Sequence, residues 1–194
     1  NKKIVTGFAF LALLMLTIAN ANAQRLQENQ KRYQVLLFTK SLDYQHRSVT
    51  TGVEMFKELA LDNHFALTWT EQSDFFDDQA QLNEMDVIVF MNTSGDILND
   101  KQRLALQSYM QQGGNFVAIH SASFTMMEWP WYVELVGGVW NRHPSPGIST
   151  AIINNEKPDH PSAAHIPRKW LVTEEWYNYL ELSDKIEVVL SLDE

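Results

Sequence analysis

His120 and Ser121 stand at the end of Gly113-Gly114-Asn115-Phe116-Val117-Ala118-Ile119, a glycine turn followed by an apolar run that reads as a buried strand. An imidazole can serve as base or metal ligand and a hydroxyl as nucleophile, and open α/β sheets collect such groups at the carboxyl ends of their strands. Two other strand-to-helix junctions point to the same edge. One offers Asp43-Tyr44-Gln45-His46-Arg47, the other Asn92-Thr93-Ser94-Gly95-Asp96. The second half of the chain adds His143, His160, His165 and the run Glu174-Glu175-Trp176-Tyr177-Asn178.

Neutral imidazole with carboxylate is a common ligand set for zinc and related ions. No H-x-x-x-H or H-E-x-x-H pair occurs, so a metal site would have to be assembled from distant loops, and each histidine could equally cap a loop or pair with a carboxylate. Ser121 lies off-centre in Ala118-Ile119-His120-Ser121-Ala122 and has no flanking glycine, so it reads either as a nucleophile on an elbow or as the cap of the next turn. Trp129, Trp131, Tyr132 and Trp140, with Trp176 and Tyr177, could stack on sugar rings or fill core and lid. Glu174 and Glu175 should alternate across a strand, leaving at most one of them to reach a pocket.

The elements that must position these groups alternate. Strands are expected at Tyr33 to Thr39, Ala66 to Thr70, Asp86 to Met91 and Asn115 to His120, with helices at Ser48 to Leu61 and after Asn99 or Asp100. The second helix carries Leu104, Leu106 and Tyr109 and stops at Gly113-Gly114. This order implies βαβ units and a parallel sheet. Later strands are expected near Thr150 to Ile153, Trp170 to Glu174 and Lys185 to Leu192.

Lys2-Lys3, the apolar run from Phe8 to Ile18 and Ala21-Asn22-Ala23 have the pattern of an export signal over residues 1–23, which implies a periplasmic or secreted protein. The run is short for a bilayer span, so no stable membrane insertion is expected once it is cleaved. Residues 24–32 read as a flexible lead-in and 33–194 as one domain. Losing Lys2 and Lys3 from the 15 basic residues leaves 13 against 24 acidic ones, a net of −11. Such a chain, without a basic stripe, is unsuited to nucleic acid. Cysteine is absent, which removes disulfides and thiolate catalysis.

In their order, these segments resemble the ThuA-like (trehalose utilisation) family. The resemblance runs from Tyr33 to Glu194 through Tyr44-Gln45-His46-Arg47-Ser48, Val89 to Asp96, Gly113 to Ala122, Trp129-Pro130-Trp131-Tyr132, Arg142-His143-Pro144, Asp159-His160-Pro161 and Glu174-Glu175-Trp176-Tyr177. It implies a flavodoxin-like parallel sheet with helices on both faces, similar to class I glutamine amidotransferases. In those relatives an elbow presents a catalytic cysteine, and here His120 stands in its place, so glutamine hydrolysis through a thiolate is not open to this chain.

The resemblance further implies a small-molecule carbohydrate, notably a glycoside oxidised at the 3-position, and a divalent metal with zinc foremost. No nucleotide cofactor is expected. It carries metal ligation onto His46, His120, His143 and Glu175; beside it, the residues themselves offer His120, Ser121 and Asp96 for chemistry and Trp131, Tyr132, Tyr177 and Asn92 for sugar contacts. His160 is read as shaping a turn. The family's usual carboxyl-terminal part does not follow Asp193-Glu194, so the domain is expected to be incomplete at that end. A non-catalytic carbohydrate-binding module and a Ser121-dependent hydrolase are the alternatives.

Overall fold

A computed structural model describes residues 33–193. The export signal and the lead-in expected over residues 1–32 lie outside them. Four parallel strands form the main sheet: β1 (Gln34–Phe38), β2 (Ala66–Thr70), β3 (Val87–Met91) and β4 (Asn115–Ile119), in the order β2-β1-β3-β4. From β1 the chain crosses to β2 on one side through helix α1 (Ser48–Asn63), and only afterwards reaches β3 on the other side. That reversal opens a crevice above the carboxyl ends of β1 and β3.

Alternating side chains divide the core between the two faces of the sheet. Val35, Leu37, Val89 and Met91 pack with Val49 and Val53 of α1. Leu36, Phe38, Ile88 and Phe90 face the other way, onto Phe76, Leu82 of α2 (Gln79–Asn83), Leu106 and Tyr109 of α3 (Asp100–Gln111), and Tyr132 of α4 (Pro130–Val136). The expected doubly covered α/β sheet is therefore present. Asn99 is the cap of α3: its side chain accepts from Gln102 N, and the Gln102 side chain accepts from Asn99 N. Of the apolar residues that this helix carries, Leu104 is 66% exposed while Leu106 and Tyr109 are buried.

β4 corrects the expectation of a buried strand. Among the described residues it is the last strand of its sheet, so its outer side has no neighbour, and Val117 is 43% exposed. Its start is held by Tyr109, whose hydroxyl accepts from Asn115 N at 3.1 Å and donates to Asn115 O at 3.2 Å.

The second half forms two small antiparallel sheets. β5 (Val139–Arg142) pairs with β8 (Asn178–Leu180), and β6 (Ile148–Asn155) lies between β7 (Lys169–Glu175) and β9 (Leu190–Asp193). The strand expected from Lys185 begins only at Leu190, where the chain first lies along β6. The crevice loops are tied together above the main sheet by parallel bridges Ser41 to Ser94 and Gly95 to Thr125.

The two glycines before β4 have different duties. Gly113 sits at φ +90° with nothing within 4 Å of an added Cβ, whereas a Cβ on Gly114 would come within 2.2 Å of the Tyr109 ring. Gly113→Asn, which tolerates the left-handed region, should cost under about 1 kcal/mol. Gly114→Ala must displace a buried ring and should cost about 1–3 kcal/mol. Urea unfolding midpoints of the two variants check this order.

Candidate metal-ligating and sugar-sized site

Two strand ends and two loops deliver the histidines and the acid to the crevice. His46 comes from the loop between β1 and α1, His120 from the end of β4, His143 from the loop after β5, and Glu175 from the end of β7. His120 adopts φ +56°, a left-handed conformation that costs a side-chain-bearing residue roughly 1–2 kcal/mol. Such strain persists where the surroundings hold it, commonly at functional sites. Here the short 3-10 turn His120–Phe124 follows at once, with Ser121, Ala122 and Ser123 buried.

His120 Nε2 is crowded with polar atoms. His46 Nε2 lies at 3.0 Å, the Tyr177 hydroxyl at 3.1 Å and Glu175 Oε2 at 3.3 Å. His46 Nε2, His120 Nε2 and a Glu175 oxygen all fall within the 4.8 Å span that one metal ion could bridge. His143 stands beside this group rather than in it. Its Nε2 is 3.6 Å from Glu175 Oε1, and its Nδ1 is 3.1 Å from the Trp176 carbonyl. A carbonyl only accepts, so in the neutral ring the proton belongs on Nδ1 and the lone pair on Nε2.

Burial holds His46 and His120 below the ordinary histidine value. For His46 the next cause is the neighbouring His120, opposed by the Glu175 charge. For His120, the charges of Glu175 and Glu174 partly offset the effect of burial. Both rings are therefore biased to the neutral, lone-pair form that a metal requires. Burial, with the Glu175 charge, pushes Tyr177 upward, so its phenol stays protonated and acts as a donor.

These groups face a cavity of about 300 Å³ whose remaining wall is largely aromatic: Tyr44, Phe124, Trp140 and Tyr177. Tyr177 lies 4.7 Å from the His120 ring at 30° and 4.8 Å from the His143 ring at 64°. Ser94 and Ser121 complete it.

The structure puts His46, His143, Glu175, Tyr177 and Ser121 in the lining of one cavity, with His120 in contact with three of them, and leaves the other expected residues elsewhere. Asn92 is buried below it, with Nδ2 donating to Ser48 Oγ at the start of α1. Asp96 is ion-paired with Arg103 and borders a neighbouring hollow. Tyr132 is 1% exposed inside the core, and its hydroxyl donates to the Ala122 carbonyl at 2.9 Å. Trp131 packs on the same core and on the Trp129 ring, 4.8 Å away. Ser121 Oγ has no hydrogen-bond partner in the protein, so no base activates it as a nucleophile. His160 Nδ1 meets Ser162 Oγ and Ser162 N, which shapes its turn.

Tyr44, Ser94 and Phe124 were not singled out in the sequence, and Trp140 was named only as one of a cluster. The signal for Tyr44 was its place two residues before His46. Phe124 gave none, because only the turn after His120 brings it round.

The chain belongs to the ThuA family: the family model, described as trehalose utilisation, matches residues 34–194. Its fold is similar to that of a ThuA-like protein from Bacteroides uniformis, with a TM-score of 0.73 and 26% identity over 84% of this chain and 68% of that one. A ThuA-like protein from Parabacteroides merdae shares the fold at a TM-score of 0.66 and 17% identity, with the same coverage of 84% and 68%. Compared with curated proteins, the sequence has no match. Membership associates the chain with carbohydrate metabolism.

Two outcomes are expected of the metal-free protein. Because His46 and His120 are lowered, the unfolded chain binds more protons than the folded one once the pH drops to about 6.5. The stability they contribute is thus complete above that pH and is lost as the pH falls from about 6.5 toward the lowered folded values. Denaturant midpoints across pH 5 to 8 measure the loss, which His46→Gln with His120→Gln should flatten. Separately, His120→Gly should be more stable than His120→Ala by about 1 kcal/mol, since only glycine relieves the left-handed backbone.

Proposed function

We propose that the chain is an exported, metal-assisted enzyme acting on an oxidised glycoside such as a 3-keto disaccharide. The observation that carries the reading is the convergence of His46 Nε2, His120 Nε2 and Glu175 beside a cavity walled by aromatic rings, which His46 and Glu175 help to line. Two imidazoles and one carboxylate are a ligand set that zinc takes at catalytic centres, where a position is left for substrate or water. The donors fit such an ion: His46 Nε2 and His120 Nε2 face one another, each able to offer a lone pair in the right tautomer, and His46 Nδ1 has no partner that would fix the opposite one. Bound there, a divalent cation would supply Lewis acidity toward a sugar carbonyl.

The remaining work falls to the chain. Aromatic faces of Tyr44, Phe124, Trp140 and Tyr177 suit the C–H faces of a sugar ring and exclude water from it. His143 Nε2, with its lone pair set by the Trp176 carbonyl, takes a proton from the carbon beside the ketone. The C–H electron pair moves into the carbonyl, leaving an enolate. That enolate either takes a proton back on its other face or expels the glycosidic oxygen. Tyr177 donates its phenolic proton to an oxygen of the sugar.

Elemental analysis and turnover of a 3-keto glycoside by the full chain test this division of labour. Zinc-replete wild type should hold about one metal per chain. His120→Ala and Glu175→Gln should lose both metal and turnover. His143→Gln should keep the metal while turnover falls roughly 10²- to 10⁴-fold. A well-folded wild type without metal after zinc loading sinks the reading, and loss of metal in His143→Gln would move that residue into the ligand set.

A further inference from the structure

Among the described residues, four buried polar side-chain atoms lack a hydrogen-bond partner in the protein. Three of them, His46 Nδ1, Ser121 Oγ and Trp140 Nε1, belong to residues that line the one cavity just described. Folded proteins pair nearly all such atoms, because each orphan costs about 1–3 kcal/mol. Three at one site mark a place built for polar atoms that come from outside the chain. The His46 ring already serves the metal-ligating group through Nε2, and the other two residues do not belong to that group.

Their chemistry narrows what they meet. An indole N–H only donates, so the partner of Trp140 must be an acceptor. The Ser121 hydroxyl can donate or accept, and it swings about a single χ1. Ser121 is only 2% exposed, and Trp140 is held between Phe124, at 4.7 Å and 63°, and His143, at 5.6 Å and 67°. The donors are thus prepositioned rather than free to seek solvent. Charge completes the description: of the lining residues Glu175 is the one acid, and none is lysine or arginine. A phosphate or carboxylate would find no cation of the chain to compensate it, whereas a hydroxyl or carbonyl oxygen needs none.

We propose that Trp140 and Ser121 determine specificity, gripping a neutral oxygen of an unphosphorylated sugar bound in the cavity. The inference rests on reading the cavity as a sugar site, and adds to it the donor pair and the exclusion of phosphorylated sugars.

Isothermal titration calorimetry of the full chain with trehalose and with trehalose 6-phosphate tests it, with metal content measured on the same samples. Trp140→Phe keeps an aromatic wall and removes only the donor. It should weaken trehalose binding about 3- to 10-fold, as should Ser121→Ala. Both variants should keep the metal content of wild type, and trehalose 6-phosphate should bind more weakly than trehalose. Unchanged affinity in both variants would mean that the two donors serve only solvent, and would overturn the proposal. So would tighter binding of the phosphorylated sugar. A wild type that holds metal but binds no trehalose overturns the donor pair and leaves the metal site standing. Trehalose binding that depends on Trp140 in protein without metal does the reverse.

Discussion

Everything about this site depends on one crowded nitrogen. His120 Nε2 is met by His46 from the loop above β1, and by Glu175 and Tyr177 from the segment where β7 passes into β8. Its polar contacts join the parallel sheet to the antiparallel additions, beside the packing of the His120 ring on Tyr177. For His120 to stand there, β4 must end in a left-handed residue, and the turn beyond it must be fixed. Tyr132 does the fixing from inside the core, through its bond to the Ala122 carbonyl.

The two halves contribute unequally to that arrangement. The buried apolar residues between Val35 and Tyr132 form two continuous clusters, one on each face of the main sheet. Among the described residues beyond Tyr132, the buried apolar one is Ala163, while Ile148, Leu171, Leu180 and Leu182 are largely exposed. His46 and His120 therefore rest on a packed platform, and His143, Glu175 and Tyr177 are carried by thinner structure. A ligand that bridges the cavity ties the second group to the first, and by linkage favours the folded state over the unfolded one.

Much of the fold was legible because the hydrophobic period is clean where the core is. Val87-Ile88-Val89-Phe90 can only be a strand covered on both faces, and Asn99 with Gln102 announces a helix start. The edge position of β4 was not legible, since Phe116-Val117-Ala118-Ile119 is as apolar as a central strand. At the site, His46, His120 and Glu175 came from family resemblance rather than spacing, for no local pattern links residues so far apart in the chain. Trp131 and Tyr132 misled because an aromatic pair suits a sugar as well as a core, and only the short helix beginning at Pro130 decides which way they point. Asp96 misled for a similar reason. Its loop does border the crevice, yet Arg103 one helix later takes the carboxylate.

The left-handed residues at the ends of β3 and β4, Asn92 and His120, have an evolutionary side. A β-branched side chain is strongly disfavoured in that region, so threonine, valine and isoleucine are closed to both junctions. The elbow can exchange one unbranched side chain for another without disturbing the backbone that presents it. A fold with this constraint changes its chemistry by swapping the tip of a single residue, while the sheet, the turn and the cavity beneath it are inherited whole.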